Sequence, residues 1–228
     1  MIAGKERSYR PTLSKKLPEL LPEISLRHGQ AIWLLTELGF GGDATQATFY
    51  EYIKSLRKLG IPFDNRAVGT TRGGAVKYSY QNLMELALAL TLRVYYVVPD
   101  SVLVGIIQYR RSLYGHYRRA YAERCTGKGA PIALKAEGCP PICMRGVFLD
   151  LQLNFSGGRL VRFGPPRALS PHAAASVFAK GRIAARALLP ISLSPLSERV
   201  VGLSLRAPPI RRRRDLESSN PITFVTNC

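Results

Sequence analysis

The sequence predicts an α+β fold: a mainly helical N-terminal winged helix-turn-helix, a long connecting helix, and a small C-terminal α/β module with a β-hairpin. Three observations predict it. Apolar residues recur at helical spacing over Arg27 to Leu38, Ala44 to Leu59 and Tyr80 to about Tyr96. Glycine-rich punctuation with short extended stretches lies between the second and third of these, and clean alternation runs from Val147 to Phe163.

Residues 1–26 are polar and interrupted by Pro11, Pro18 and Pro22, which reads as a mobile arm; they contain no apolar run of the kind a secretory signal needs. The first helix carries Ala31, Leu34, Leu35 and Leu38 on one face, with Trp33 beside them, and Gly39, Gly41 and Gly42 end it. In the second, Phe49, Ile53, Leu56 and Leu59 form the apolar stripe and Gly60 is the stop. Its other face has short hydrogen-bonding side chains at the N-terminal end and bases at the C-terminal end. A helix lying in the major groove needs that gradient, because its first turns meet base edges while later cations reach phosphates. Thr45, Gln46, Thr48 and Tyr50 are therefore the candidates for base contact.

Ile61 to Phe63 and Ala75 to Tyr78 are extended candidates around a loop with Gly69, Gly73 and Gly74, a β-hairpin wing. Lys54, Arg57 and Lys58 on the helix, with Arg66, Arg72 and Lys77 on or beside the wing, are the candidates for phosphate contact. Ser79 caps a helix whose Leu83, Leu86, Leu90 and Val94 face inward. From Pro99 a helix over 100–124 places Val102, Ile106, Tyr109, Leu113 and Tyr117 along one seam, which predicts a homodimer.

Residues 125–146 are punctuated by Gly, Pro and Cys. The hairpin that follows has Val147, Leu149, Leu151, Leu153, Phe155 and Phe163 facing a core, and a helix is expected from about Pro171 to Leu188. The domain plan is thus a mobile arm (1–26), a DNA-binding domain (27–107), a connecting and dimerisation helix (100–124), a small α/β module (145–190) and a poorly ordered basic tail (191–228). RNA polymerase or an unidentified ligand is the partner class left open for the α/β module.

Charge points to the partner. The 228 residues hold 33 Lys and Arg against 15 Asp and Glu, a formal net charge of +18. That surplus repels itself in a compact state unless a polyanion meets it, and nucleic acid is the commonest such polyanion. Residues 1–124 hold 18 basic and 10 acidic side chains, so the remainder is the more basic per residue; Arg211 to Arg214 form its densest run.

The segment Gly74-Ala-Val-Lys-Tyr78-Ser79-Tyr-Gln-Asn82-Leu83 resembles the wing exit of the MerR-type winged helix-turn-helix regulators, and Ser55-Leu-Arg-Lys-Leu-Gly-Ile61 is similar to the end of that family's recognition helix. The resemblance covers about residues 31–107. Lys54, Ser55 and Leu56 stand where the family carries an Arg-Tyr-Tyr signature. The resemblance implies a dimeric transcriptional regulator that binds double-stranded DNA.

Other chemistries lack their residues. His28, His116 and His172 have no evident nucleophile or carboxylate partner in sequence, and the glycine pairs fit neither a P-loop nor a dinucleotide fingerprint. Neither an enzyme nor a cofactor is expected. Cys125, Cys139 and Cys143 do not have structural-zinc spacing, so no metal is expected, and reduced thiols suit a cytoplasmic, nucleoid-associated protein. No apolar run reaches the roughly 20 residues that span a bilayer, so no membrane is expected. The competing reading is a basic RNA-binding or protein-interaction adaptor without sequence-specific DNA readout, and exposed aromatics on a sheet would mark the RNA reader.

Overall fold

Helix α1 spans His28–Glu37 and ends where Gly39 turns left-handed (φ 94°), which lets the Phe40 amide reach back to the Leu35 carbonyl at 3.2 Å. Helix α2 spans Gln46–Lys58 and closes the same way, with Gly60 at φ 87° and the Ile61 amide on the Leu56 carbonyl at 3.0 Å. A computed structural model describes residues 21–42, 46–63, 76–126, 132–134, 142–144, 147–156, 159–170, 172–174 and 186–209. Ala31, Leu34 and Leu35 of α1 and Phe49, Ile53 and Leu56 of α2 are all buried, as their spacing requires. Removing a side chain of that size from water is worth about 1.5–3 kcal/mol.

Strand β2 (Lys77–Tyr78) does not pair with Ile61–Phe63, the partner expected from the wing pattern. It pairs antiparallel with β1 (Leu26–Arg27), while Ile61 is buried and the Phe63 ring stands 5.1 Å from that of Tyr78. The tie to β1 was invisible in sequence because 50 residues separate the strands. The Arg66 and Arg72 positions lie outside the described residues.

Helix α3 (Tyr80–Leu90) starts at Ser79, whose hydroxyl accepts from the Asn82 amide while the Asn82 side-chain oxygen accepts from the Ser79 amide. It is buried on all sides from Leu83 to Leu90, as a helix apolar all round must be. A π-helical turn, Thr91–Tyr95, follows. Val94 therefore does not face inward as expected; it is exposed, together with Tyr95, Tyr96 and Val97. Val97 holds φ 51°, a left-handed position where glycine is usual, and this lets the Val98 amide bond the Leu92 carbonyl at 3.0 Å.

The stretch expected as one long helix is divided into α4 (Asp100–Leu103), α5 (Gly105–Gln108) and α6 (Arg110–Thr126). Its seam does not await a second chain. Val102, Ile106, Leu113 and Tyr117 are buried within this one and Tyr109 is partly so. The breaks let the seam turn against other elements. At Gly105 a side chain would come within 2.9 Å of the Phe163 ring, so the missing Cβ is what allows a strand to lie across it.

That strand is β6 (Arg159–Phe163), which pairs with β5 (Phe148–Ser156) in the expected hairpin. β7 (Arg167–Leu169) continues along the same edge of β5, and β8 (Arg186–Ser192) takes the other edge over Phe148 to Asn154. A separate two-stranded ladder joins β3 (Ile132–Leu134) to β4 (Ile142–Met144). Val147, Leu149, Leu151, Leu153 and Phe163 are buried as predicted. Phe155 is not: a register irregularity at Asn154/Phe155 turns it out, and it is 41% exposed. The helix expected over 171–188 is described only at 172–174, and its end, Arg186 to Leu188, belongs to β8.

Residues 191–209, expected to be poorly ordered, complete β8 and then form α7 (Leu193–Ser204). Leu193, Val200 and Val201 are buried, and α7 packs against α1, α3, α6 and β5. Its start is tied to β5 by the Leu193 amide on the Val147 carbonyl (2.9 Å) and by the Val147 amide on Ser194 Oγ (2.8 Å). One hydrophobic core runs from Leu26 to Val201, joining the helical half to the sheet. Among the described residues no helix is long and apolar enough to cross a membrane.

Candidate nucleic-acid interface

Helix α2 is held from behind by two arginines. Arg110 of α6 sends its Nε and Nη2 to the Glu85 carboxylate at 2.7–3.1 Å, and Nη2 also donates to the Gly60 carbonyl at 2.6 Å. Glu85 is completely buried in α3, so this fork couples α3 and α6 to the turn that ends α2. Arg93 donates to Ser55 Oγ, pairs with Asp100 at 3.3 Å and lies over the Tyr52 ring at 5.2 Å. Neither arginine was singled out in the sequence, where nothing marks which cation turns inward.

The outer side of α2 is exposed to solvent. Thr48 is exposed near its N-terminal end. Lys54 is exposed and pairs with Glu51 at 3.1 Å, a surface contact of small energetic worth. Lys58 is exposed, and Arg57, half-buried, turns toward β1. The Tyr50 ring is 38% exposed, with an edge-on contact to His28 at 5.6 Å, so part of it is committed to packing. Gln46 is the first residue of α2. Thr45 lies outside the described residues, as do Arg66 and Arg72.

Between α1, α2 and β2 lies a cleft of about 490 Å³ lined by Arg27, His28, Gly29, Gln30, Arg57, Val76, Pro208 and Pro209. No carboxylate is among these residues. The ladder register sets Arg27 directly opposite Lys77, both exposed, beside the buried Leu26–Tyr78 pair. Like charges placed directly opposite on adjacent strands destabilise the pairing. Arg57 and Lys58 have a structural use at the end of a helix, where cations suit the macrodipole. The Arg27–Lys77 opposition has none of that kind.

His28 sits at the base of this group, 2.9 Å from the Tyr78 hydroxyl through Nδ1 and stacked on its ring at 5.8 Å. Burial first, and then the Arg57 charge, lower its pKa from 6.5, whereas burial raises that of Tyr78. A histidine that resists protonation when folded makes the unfolded chain the better proton acceptor below pH 6.5. Stability is therefore expected to fall as the pH drops through that range. His116, also lowered by burial, acts in the same direction. The urea midpoint should fall between about pH 7.5 and about pH 5.5, and fall less in His28→Gln. Equal falls in the two proteins would mean that His28 is not a buried neutral group.

Arg27, His28 and Gln30 were not proposed from the sequence, and neither was the approach of Pro208 and Pro209. The first three stand at a helix start, a visible signal; the last two arrive only because α7 returns across α1. No cluster of three or more possible metal-ligating side chains occurs among the described residues. Cys125, Cys139 and Cys143 have no side chain among those described. Comparison with protein-family models, with curated proteins and with solved structures finds no match to this chain.

Proposed function

We propose that the protein is a sequence-specific double-stranded DNA-binding transcriptional regulator, with α2 presented to the major groove and the β1–β2 ladder lying on the adjoining phosphates. The observation that carries this reading is that Arg27 and Arg57 line one cleft, with Lys77 opposite Arg27 on the adjoining ladder and no carboxylate among the described residues that line it. An arrangement that costs the folded chain electrostatic energy is stabilised when a polyanion occupies it. The net charge of +18 and the resemblance of Gly74 to Leu83 to a MerR-type wing exit support the same reading.

RNA binding is the second reading, and Phe155 is the observation in its favour, since the ring is exposed at the end of β5. Phe163 is buried, however, and a stacking platform on a sheet uses two or three aromatics. The DNA reading is therefore preferred. The buried seam gives no support to the dimer expected from the sequence.

Base selection with the full chain tests the assignment. Thr48→Ala alters an exposed position and should leave stability within about 0.5 kcal/mol. It should reduce discrimination at one or two base positions by about 1–3 kcal/mol, read as relative affinities for point-substituted duplexes. Thr48→Ala binding every sequence with wild-type preference would place base reading elsewhere, and failure of the wild type to bind any duplex at low salt would remove the function itself.

A further inference from the structure

We infer that a second cleft, between the end of α5 and the β5–β6 hairpin, binds a small organic carboxylate, with Arg162 as its counter-charge. The inference is independent of the DNA reading, since it uses no residue of the α2 face or of the β1–β2 ladder.

The local sequence builds this cleft from two sides. On the helical side, Gly105 has no Cβ to hold off the Phe163 ring, which would stand 2.9 Å from one, so the end of β6 lies close on α5. Helix α5 ends at Gln108 and α6 starts at Arg110, so Gln108 and Tyr109 occupy the break beside that strand. On the sheet side, Asn154 of β5 is the direct register partner of Arg162 of β6, and the ladder shifts immediately beyond, between Asn154 and Phe155. Direct partners across an antiparallel pair have Cβ atoms about 4.5–5.5 Å apart, so one ligand can meet both. Irregularities of this kind re-aim side chains and are frequent beside active sites.

The cleft measures about 310 Å³, at the small end of the roughly 300–1,000 Å³ typical of ligand pockets. Phe163, Tyr109 and Pro165 give it apolar wall, and no acidic side chain lines it. Its polar groups are Gln108, Asn154 and Arg162, whose side chains bond to no other described residue. Their donors are thus open to a guest. A guanidinium is a planar fork that grips a carboxylate through two parallel bonds, and the two amides add neutral donors beside it. One cation matches the single charge of a carboxylate, whereas a phosphate dianion would leave one charge unmet. The apolar wall suits a carbon body attached to that carboxylate.

Benzoate is the probe, benzamide its uncharged counterpart and phenyl phosphate the alternative anion. Each is titrated into the isotope-labelled full chain at constant ionic strength, following the backbone amides of Tyr109, Phe163 and Gly164 by NMR. Benzoate should shift them saturably, benzamide should bind about tenfold more weakly or worse, and phenyl phosphate should bind less tightly than benzoate. Arg162→Gln should weaken benzoate about tenfold, as loss of a charged hydrogen-bonding partner does. Arg159→Gln removes a charge from the same strand outside the cleft and should leave benzoate affinity unchanged. Both positions are exposed, so both variants should keep the wild-type urea midpoint. Absence of saturation by benzoate, equal binding of benzamide, or an equal loss in the two variants would overturn the site. Shifts confined to Gly29 and Gln30, in the α1 cleft, would overturn it as well. Tighter binding of phenyl phosphate than of benzoate would overturn the carboxylate assignment.

Discussion

Replacing Arg110 with alanine is expected to lower the unfolding free energy by about 3–5 kcal/mol, because it leaves the Glu85 carboxylate buried with its forked partner gone. Glu85 is 0% exposed and accepts from Nε and Nη2 of the guanidinium, whose Nη2 also donates to the Gly60 carbonyl. For a chain of this size each kcal/mol is about 2–4 °C in Tm, so a fall of about 6–20 °C should be seen. Urea unfolding at neutral pH measures the free energy directly. The double variant Glu85→Leu with Arg110→Leu is the informative control. It removes both charges, and should recover much of the loss because the apolar pair needs no desolvated ion. A loss below about 1 kcal/mol in Arg110→Ala would mean that water reaches Glu85. The consequence extends to the interface, since the same guanidinium fastens the turn at the end of α2.

The triple variant Arg27→Gln, Arg57→Gln and Lys77→Gln should separate stability from binding. Stability should change by less than about 1 kcal/mol, because relief of the cross-strand Arg27–Lys77 repulsion offsets loss of the Arg57 charge at the end of α2. Duplex affinity should fall for specific and unrelated sequences alike, with a salt slope reduced by about 2.7. That is about 40-fold less sensitivity between 50 and 200 mM salt. A site kept for folding would lose stability, and a site kept for a polyanion loses affinity. Fluorescence titration and urea unfolding on the same preparations separate the two. An unchanged slope would show that these cations do not meet the duplex.

Local chemistry made the first half readable. Gly39 and Gly60 end helices with left-handed φ, Ser79 caps α3, and Phe49, Ile53 and Leu56 fall inward at their helical spacing. The Val147–Phe163 hairpin follows from its alternation in the same way. Each of these features is decided by residues within a few positions of one another. The signal for α7 is also local, in Leu193, Leu196, Val200 and Val201, but Pro190 and Pro195 interrupt the chain on either side of its start.

The rest was decided by partners far away in the chain. An apolar seam from Val102 to Tyr117 states that something must cover it, not what does, and the structure uses β6 and neighbouring helices where a second copy was expected. Strand β2 takes β1 because the fold brings position 26 beside position 78, and two residues of ladder carry no pairing code of their own. Net charge is additive and therefore visible in composition, but convergence is geometric. Only the return of α7 across α1 brings Pro208 to Gln30 and sets Pro208 and Pro209 in one cleft with Arg27 and Arg57.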